Sequence, residues 1–155
     1  MSYRGRFKPT HPEKYKGDPS NIIYRSLWEL KVFRRCDLRP EIVEWQSEEL
    51  AIPYMNPVKK KTSRYFPDLI IKKKVSGTDK YETIMIEIKP KSQTTPPDPQ
   101  NRNKTPTGRV SRRYLREAAT YSINQAKWKA AEEYCKKRGW EFKIMTEEQI
   151  KPGKK

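Results

Sequence analysis

The stretch "RYFPDLIIKKKVSGTDKYETIMIEIKP", residues 64–90, decides the reading of this chain. Leu69, Ile70 and Ile71 form one short apolar run, and Ile84, Met85, Ile86 and Ile88 form a second. Both are brief and rich in β-branched side chains, which favours strands over helices. Between them, "SGTD" places Gly77 where a type II′ loop wants its first central residue, so a hairpin turning at Gly77-Thr78 is expected. Counting outward pairs Ser76 with Asp79, Val75 with Lys80 and finally Asp68 with Glu87. Alternation sends Ile84, Ile86 and Ile88 to one face, and Met85, Glu87 and Lys89 to the other. Like charges opposite each other sit roughly 5 Å apart and repel, so their presence together calls for a counter-ion. Hard oxygen donors of this kind suit Mg²⁺ or Mn²⁺. The competing reading is charge on a solvated strand face, since a one-residue slip would separate the acids.

Composition narrows the partner. At 155 residues the chain is the size of one domain. Its 35 Lys and Arg against 19 Asp and Glu give a formal charge of +16, an excess that points to a polyanion, foremost nucleic acid. A membrane is not expected: there is no long apolar run, no bulky amphipathic Lys-rich helix and no signal peptide. Only Cys36 and Cys135 accompany a single His, too few for a disulfide framework or a zinc knuckle, so both thiols are read as reduced.

The organisation follows from punctuation. Residues 1–17 are basic, carry Tyr3, Phe7 and Tyr15 among Lys and Arg, and show no period, so they read as an N-terminal arm. A domain over 18–150 and a basic tail over 151–155 follow. Asp18-Pro19 resembles an N-cap with proline at the first helical position, predicting a helix to about Cys36. On it Ile22, Ser26, Glu29 and Phe33 share a face, and a carboxylate there needs a partner: a metal, or a neighbour such as Arg25. "IVEWQSEELAIPY" reads as a first strand segment, ended by Pro57 and the following lysines. After the hairpin, residues 90–110 hold five prolines and almost no apolar side chain, which predicts a flexible basic loop leaving the end of the acid strand. Ser111 to Arg138 is helical, as one helix or two, stopped by Gly139, with Tyr114, Ala118, Tyr121, Gln125 and Trp128 along one stripe. "WEFKIM" alternates as a fourth strand, and Thr146 caps a short helix. The expected fold is α/β, an α+β mixed sheet in the order αβββαβ: a central four-stranded sheet flanked by helices. Tyr65 and Phe66 read as core rather than base-stacking residues.

"SLWE", "YFPDLII", "IMIEIK" and "QAKW", in this order, resemble the PD-(D/E)XK nuclease superfamily, including the endonuclease subunits of heteromeric transposases. "PSNIIYRSLWE", "FPDLII", "IEIKP" and "WEFKIMTEEQI" are similar to the head completion proteins of large contractile-tailed bacteriophages. The resemblance covers most of the chain and implies a restriction-endonuclease-like core. It also implies that Asp68 and Glu87 hold Mg²⁺ or Mn²⁺, that Glu29 completes the site, and that Lys89 orients the attacking water or stabilises developing charge. Gln125 would support the water or a phosphate, with Lys127 beside it. The implied activity is phosphodiester hydrolysis by an endodeoxyribonuclease, trimming packaged DNA and stabilising the filled head before tail joining. Lys59, Lys60, Lys61, Arg64, Arg112, Arg113, Arg116 and Lys127 would grip the DNA backbone without reading sequence. Portal or neck proteins are the implied partners, monomer the default state, and host-cell cytoplasm and virion head vertex the location. The rival is a structural DNA- or portal-binding virion protein that keeps the fold without cleaving; generic RNA binding fits the charge but not the acid set.

Overall fold

The structure is a computed structural model that describes residues 4–150. Along the chain run strands β1 (Gly5–Phe7) and β2 (Ile22–Tyr24), helix α1 (Leu27–Leu38), and strands β3 (Ile42–Gln46), β4 (Ile52–Asn56), β5 (Lys61–Tyr65), β6 (Leu69–Lys74) and β7 (Tyr81–Ile88). Helix α2 (Arg112–Arg138), strand β8 (Glu141–Met145) and helix α3 (Glu147–Ile150) complete it. The central sheet has the order β3-β6-β7-β8. Its first three strands are antiparallel neighbours, and β8 lies parallel to β7, reached by the α2 crossover. A mixed four-stranded sheet between helices is the expected architecture.

The β6–β7 register is the one counted from the turn, from Lys74↔Tyr81 to Leu69↔Ile86. The turn itself differs. Thr78 N–H donates to Val75 O at 3.1 Å and Gly77 has φ +75°, so the bend is centred on Ser76-Gly77, not Gly77-Thr78. The register survives because Val75 N–H still closes the ladder on Lys80 O at 2.9 Å.

Both sheet faces are covered, which is why β6 and β7 read as near-continuous apolar runs. Leu69, Ile71, Ile84, Ile86 and Ile88 pack with Val32, Phe33 and Cys36 of α1. Ile70 and Met85 pack on the other face with Trp128, Ala131 and Cys135 of α2 and with Ile52, Tyr54 and Tyr65 of the β4–β5 hairpin. That hairpin is a separate two-stranded sheet, so the expected single first strand is in fact two strands in different sheets. β5, "KTSRY", buries only Tyr65 and therefore carries no apolar alternation to betray it.

The helix expected from Asp18-Pro19 begins instead at Leu27. Asp18 takes the N–H and hydroxyl of Ser20 at 3.0 and 2.6 Å, closing a local turn, and Ile22–Tyr24 is consumed by pairing with Gly5–Phe7. The true cap is Ser26, whose Oγ accepts Glu29 N–H at 3.1 Å while Glu29 Oε1 accepts Arg25 N–H at 2.8 Å. This is a capping box shifted back by one residue at its return bond.

The expected arm over 1–17 is, from Gly5 to Tyr15, packed onto the body. Phe7 and Tyr15 are buried, with ring centroids 5.9 and 4.8 Å from Trp45, and Phe7 lies 5.9 Å from Phe33. Buried Asp37 accepts the N–H groups of Thr10 and His11 at 2.7 and 2.8 Å. Tyr3 and the basic tail over 151–155 lie outside the described residues.

Residues 91–109 contribute nothing to the core. They form turns and two one-turn 3-10 helices, Lys91–Gln93 and Pro99–Asn101, and close on themselves through Ser111 N–H to Arg102 O at 2.7 Å. α2 is one continuous helix capped by Ser111, and it ends at Gly139 with φ 72°. A Cβ there meets no atom within 4 Å, so Gly139→Ala should cost only the left-handed backbone term, about 1 kcal/mol, read as a lower denaturation midpoint with unchanged m.

Candidate active site

The β5–β6 connection carries Asp68 to the start of the inner strand β6, directly after buried Pro67. One carboxylate oxygen of Asp68 accepts the Ile88 N–H at 2.8 Å, which ties it to β7 one residue from Glu87. Glu87 is buried, at 5 % exposure, on the face opposite Ile86 and Ile88. Its Oε1 accepts the hydroxyl of Tyr65, and its Oε2 lies 3.7 Å from Lys89 Nζ. Lys127 reaches in from α2, with Nζ 5.8 Å from the Tyr65 ring centre and 6.0 Å from that of Tyr54. Glu29 approaches from the first turn of α1, partly buried and held by its capping bond to Arg25 N–H. The Arg25 guanidinium does not pair with Glu29; it binds Glu48 at 3.0 Å.

The acids strain against one another. Burial pushes Asp68 well above its ordinary value, and Glu87 and then Glu29 add to this against the Ile88 N–H. Burial also raises Glu87, opposed by the Tyr65 hydroxyl, Lys89 and Lys127. Glu29 is raised by burial, with Glu48 and Glu87 contributing repulsion. The Tyr65 hydroxyl is driven upward by burial and by Glu87, so it remains a proton donor to that carboxylate. The indole N–H of Trp128 acts to lower Glu87, yet it has no hydrogen-bond partner within standard geometry.

Such a cluster fits a hard cation through Asp68 and Glu87, whose oxygens match Mg²⁺ or Mn²⁺. Among the described residues, no three His, Cys, Asp or Glu side chains already stand as a ligand set. The fit is thus that of a carboxylate pair completed by waters and phosphate oxygens, the usual pattern for Mg²⁺.

The electrostatics give a direct test. A carboxyl whose folded pKa is raised holds its proton longer in the native state, so stability is full below the ordinary value of 3.8 and is lost as pH rises through the raised value. Asp68→Asn should therefore raise the melting temperature in EDTA at neutral pH, and the gain should vanish as pH approaches 4. Added Mg²⁺ should stabilise wild type and not the variant. Differential scanning fluorimetry across pH reads both; an unchanged melting temperature at pH 7 would contradict the electrostatic picture.

Other sequence expectations fall differently. Gln125 is exposed, in a surface hollow with Thr94, Trp128 and Lys129 that is not lined by Glu29, Asp68 or Glu87. The buried face of α2 runs through Asn124, Trp128, Ala131 and Cys135, so its inward polar residue is Asn124. Lys59 and Lys60 sit at the tip of the β4–β5 hairpin, and Lys61 and Arg64 lie along β5, all exposed. Arg112, Arg113 and Arg116 are exposed on the first turns of α2, with Arg113 bound to Glu117 at 3.0 Å. Phe66 is 42 % exposed rather than core, with the Arg64 guanidinium over its ring at 5.6 Å. Tyr65 is core, as expected, but also the hydrogen-bond partner of Glu87, a role that only its place on the unread β5 strand could have signalled.

The TnsA-like endonuclease N-terminal family matches residues 39–147, which include Asp68, Glu87, Lys89, Gln125 and Lys127. The chain belongs to the TnsA-like endonuclease family. It is also 41 % identical over 152 residues to the head completion nuclease of Enterobacteria phage T4, covering 97 % of this chain and 95 % of that protein. The TnsA-like match begins after α1, so Glu29 lies outside it. This chain is a homologue of that head completion nuclease, carrying a TnsA-like endonuclease domain.

Proposed function

We propose that this protein is a Mg²⁺- or Mn²⁺-dependent endodeoxyribonuclease acting at phage head completion, with Asp68, Glu87 and Lys89 as its catalytic centre. The observation that carries the reading is half-buried Asp68, held by the Ile88 N–H and repelled by buried Glu87, with Lys89 3.7 Å from Glu87. The order α1, β3, β6, β7, α2, β8 supports a restriction-endonuclease-like core. When bound, the cation neutralises charge on the scissile phosphate and acidifies a water. Asp68 and Glu87 hold it, and Glu29 keeps a second oxygen available beyond its capping bond. Lys89 supplies fixed positive charge where negative charge develops. Tyr65 fixes the Glu87 carboxylate, and Lys127 adds a second cation from the helix side.

Lys59, Lys60, Lys61, Arg64, Arg112, Arg113 and Arg116 extend a basic surface for the phosphate backbone, without base readout. In this reading Gln125 stands aside from the chemistry. The biological step is trimming of DNA after packaging and stabilisation of the filled head, in host cytoplasm and at the virion vertex, as a monomer meeting portal or neck proteins. No helix among the described residues is long and apolar enough to cross a membrane.

The test is incubation of the purified protein with supercoiled plasmid and linear duplex, with Mg²⁺, Mn²⁺ or EDTA. Cutting that requires the cation is expected. A second reading, a virion protein that binds DNA or the vertex without cleaving, draws on one observation: Glu87 is already engaged by Tyr65 and Lys89, and among the described residues no three His, Cys, Asp or Glu side chains stand as a ligand set. Binding without cleavage under every metal condition would favour it.

A further inference from the structure

The loop leaving β7 and the first half of α2 enclose a cavity of about 660 Å³, lined by Gln93, Asp98, Arg113, Arg116, Tyr121 and Asn124 among others. Its size falls within the range of ligand pockets, roughly 300–1,000 Å³. Asn124 is 4 % exposed and its Nδ2 has no hydrogen-bond partner. A buried amide without a partner destabilises the fold, so an Asn kept in a cavity wall points to a ligand that pairs with its amide.

We propose that this cavity binds one unpaired nucleotide of the DNA strand beside the acidic centre, and that the substrate is therefore DNA with a single-stranded end, gap or flap. The inference deepens the nuclease reading and rests on it for the identity of the strand. Three groups match three parts of a nucleotide. The Asn124 amide pairs with a base edge, the Tyr121 ring offers a stacking surface, and Arg116, which makes no ion pair among the described residues, meets the phosphate. Stacked and paired inside a duplex, a base cannot reach such a wall.

A bare phosphate fits less well. Arg113 is taken by Glu117 at 3.0 Å, and Asp98, with its carboxylate on Gln100 N–H at 2.9 Å, adds a negative charge to the rim. The pocket is therefore nearly balanced in charge and suited to a base. Its position suits the chemistry as well. Asn124 lies one helical turn before Trp128, whose indole faces Glu87, a separation of about 6 Å along the axis. Ser92 and Gln93 follow Lys89 by only a few residues, so one strand can thread both sites.

The experiment is fluorescence anisotropy in EDTA, which separates binding from cleavage. Wild type, Tyr121→Ala, Arg116→Ala, Asn124→Leu and the far-end control Lys136→Ala are titrated with an oligo-dT of about ten nucleotides, a blunt duplex and thymidine monophosphate. Arg116→Ala, which also removes one backbone phosphate contact, should weaken both, oligo-dT binding the more, whereas Tyr121→Ala should weaken oligo-dT binding about tenfold while changing duplex binding less than twofold. Asn124→Leu should do the same while raising the melting temperature, since it removes an unsatisfied buried donor. Saturable binding of thymidine monophosphate, lost in Tyr121→Ala, would also support the pocket. Equal losses on oligo-dT and duplex, no loss on either, or a loss matched by Lys136→Ala would overturn it. Because no step requires cleavage, an inert enzyme with an intact oligo-dT preference would reject the nuclease reading and leave the pocket standing.

Discussion

Glu87→Gln and Lys89→Ala are each expected to reduce cation-dependent plasmid cleavage on the order of 10²–10³-fold, the usual effect of removing one preorganised electrostatic group. Gln is the informative replacement at position 87. Its amide oxygen can still accept the Tyr65 hydroxyl, so the buried phenol keeps its partner while the cation loses a charged ligand. The variant should fold at least as well as wild type in EDTA, because an ionised carboxylate held in a desolvated site is replaced by a neutral one. Lys89 is half-buried and pairs with the buried Glu87 carboxylate, so its removal should lower stability by about 1–3 kcal/mol in EDTA without unfolding the protein. Duplex binding should persist in both, since the exposed basic surface is untouched. Plasmid relaxation assays with matched melting curves decide the matter. Variants that cut as fast as wild type would remove Glu87 and Lys89 from the chemistry, and a loss of cutting that tracked a loss of fold would leave them structural.

Phe33→Ala is expected to destabilise the protein by about 3–5 kcal/mol, a large share of the 5–15 kcal/mol typical of a domain. Phe33 has 0 % exposure, and its ring meets Phe7 at 5.9 Å and Trp45 at 5.2 Å. It joins the N-terminal segment, α1 and the sheet in one cluster, so the cavity cannot be closed by moving a single neighbour. Because α1 also carries Glu29, loosening it should reduce cleavage more than it reduces DNA binding. Urea denaturation followed by tryptophan fluorescence measures the stability loss. A change below about 1 kcal/mol would mean that the packing of the N-terminal segment is not part of the stable body.

The sequence by itself determined the hairpin, its register and the side shared by Glu87 and Lys89, with Asp68 just ahead of the paired residues. The reason is that strand alternation has period two and both apolar runs are anchored to one short turn. The register was robust even though the bend sits at Ser76-Gly77, because the pairing of Val75 with Lys80 is common to both turns. The long α2 helix and its Gly139 stop were equally legible, since alanine-rich propensity and a left-handed glycine are local signals. The start of α1 was locally ambiguous: Asp18-Pro19 and Ser26-x-x-Glu29 both carry cap chemistry. The tie was broken by long-range pairing of Ile22–Tyr24 with Gly5–Phe7, which no local pattern contains.

Tertiary structure alone decided the rest. β5 is polar along most of its length, so its pairing with β4, and hence the placing of Tyr65 on Glu87, depends on contacts distant in sequence. Which of Asn124 and Gln125 turns inward depends on the rotation of α2 about its axis, which is fixed by Trp128, Ala131 and Cys135 packing on the sheet. A step of one residue rotates a side chain by about 100°, enough to exchange a buried amide for an exposed one. Period and turn chemistry are properties of short segments and can be read from them; helix rotation and the pairing of polar strands are set by what lies across the core.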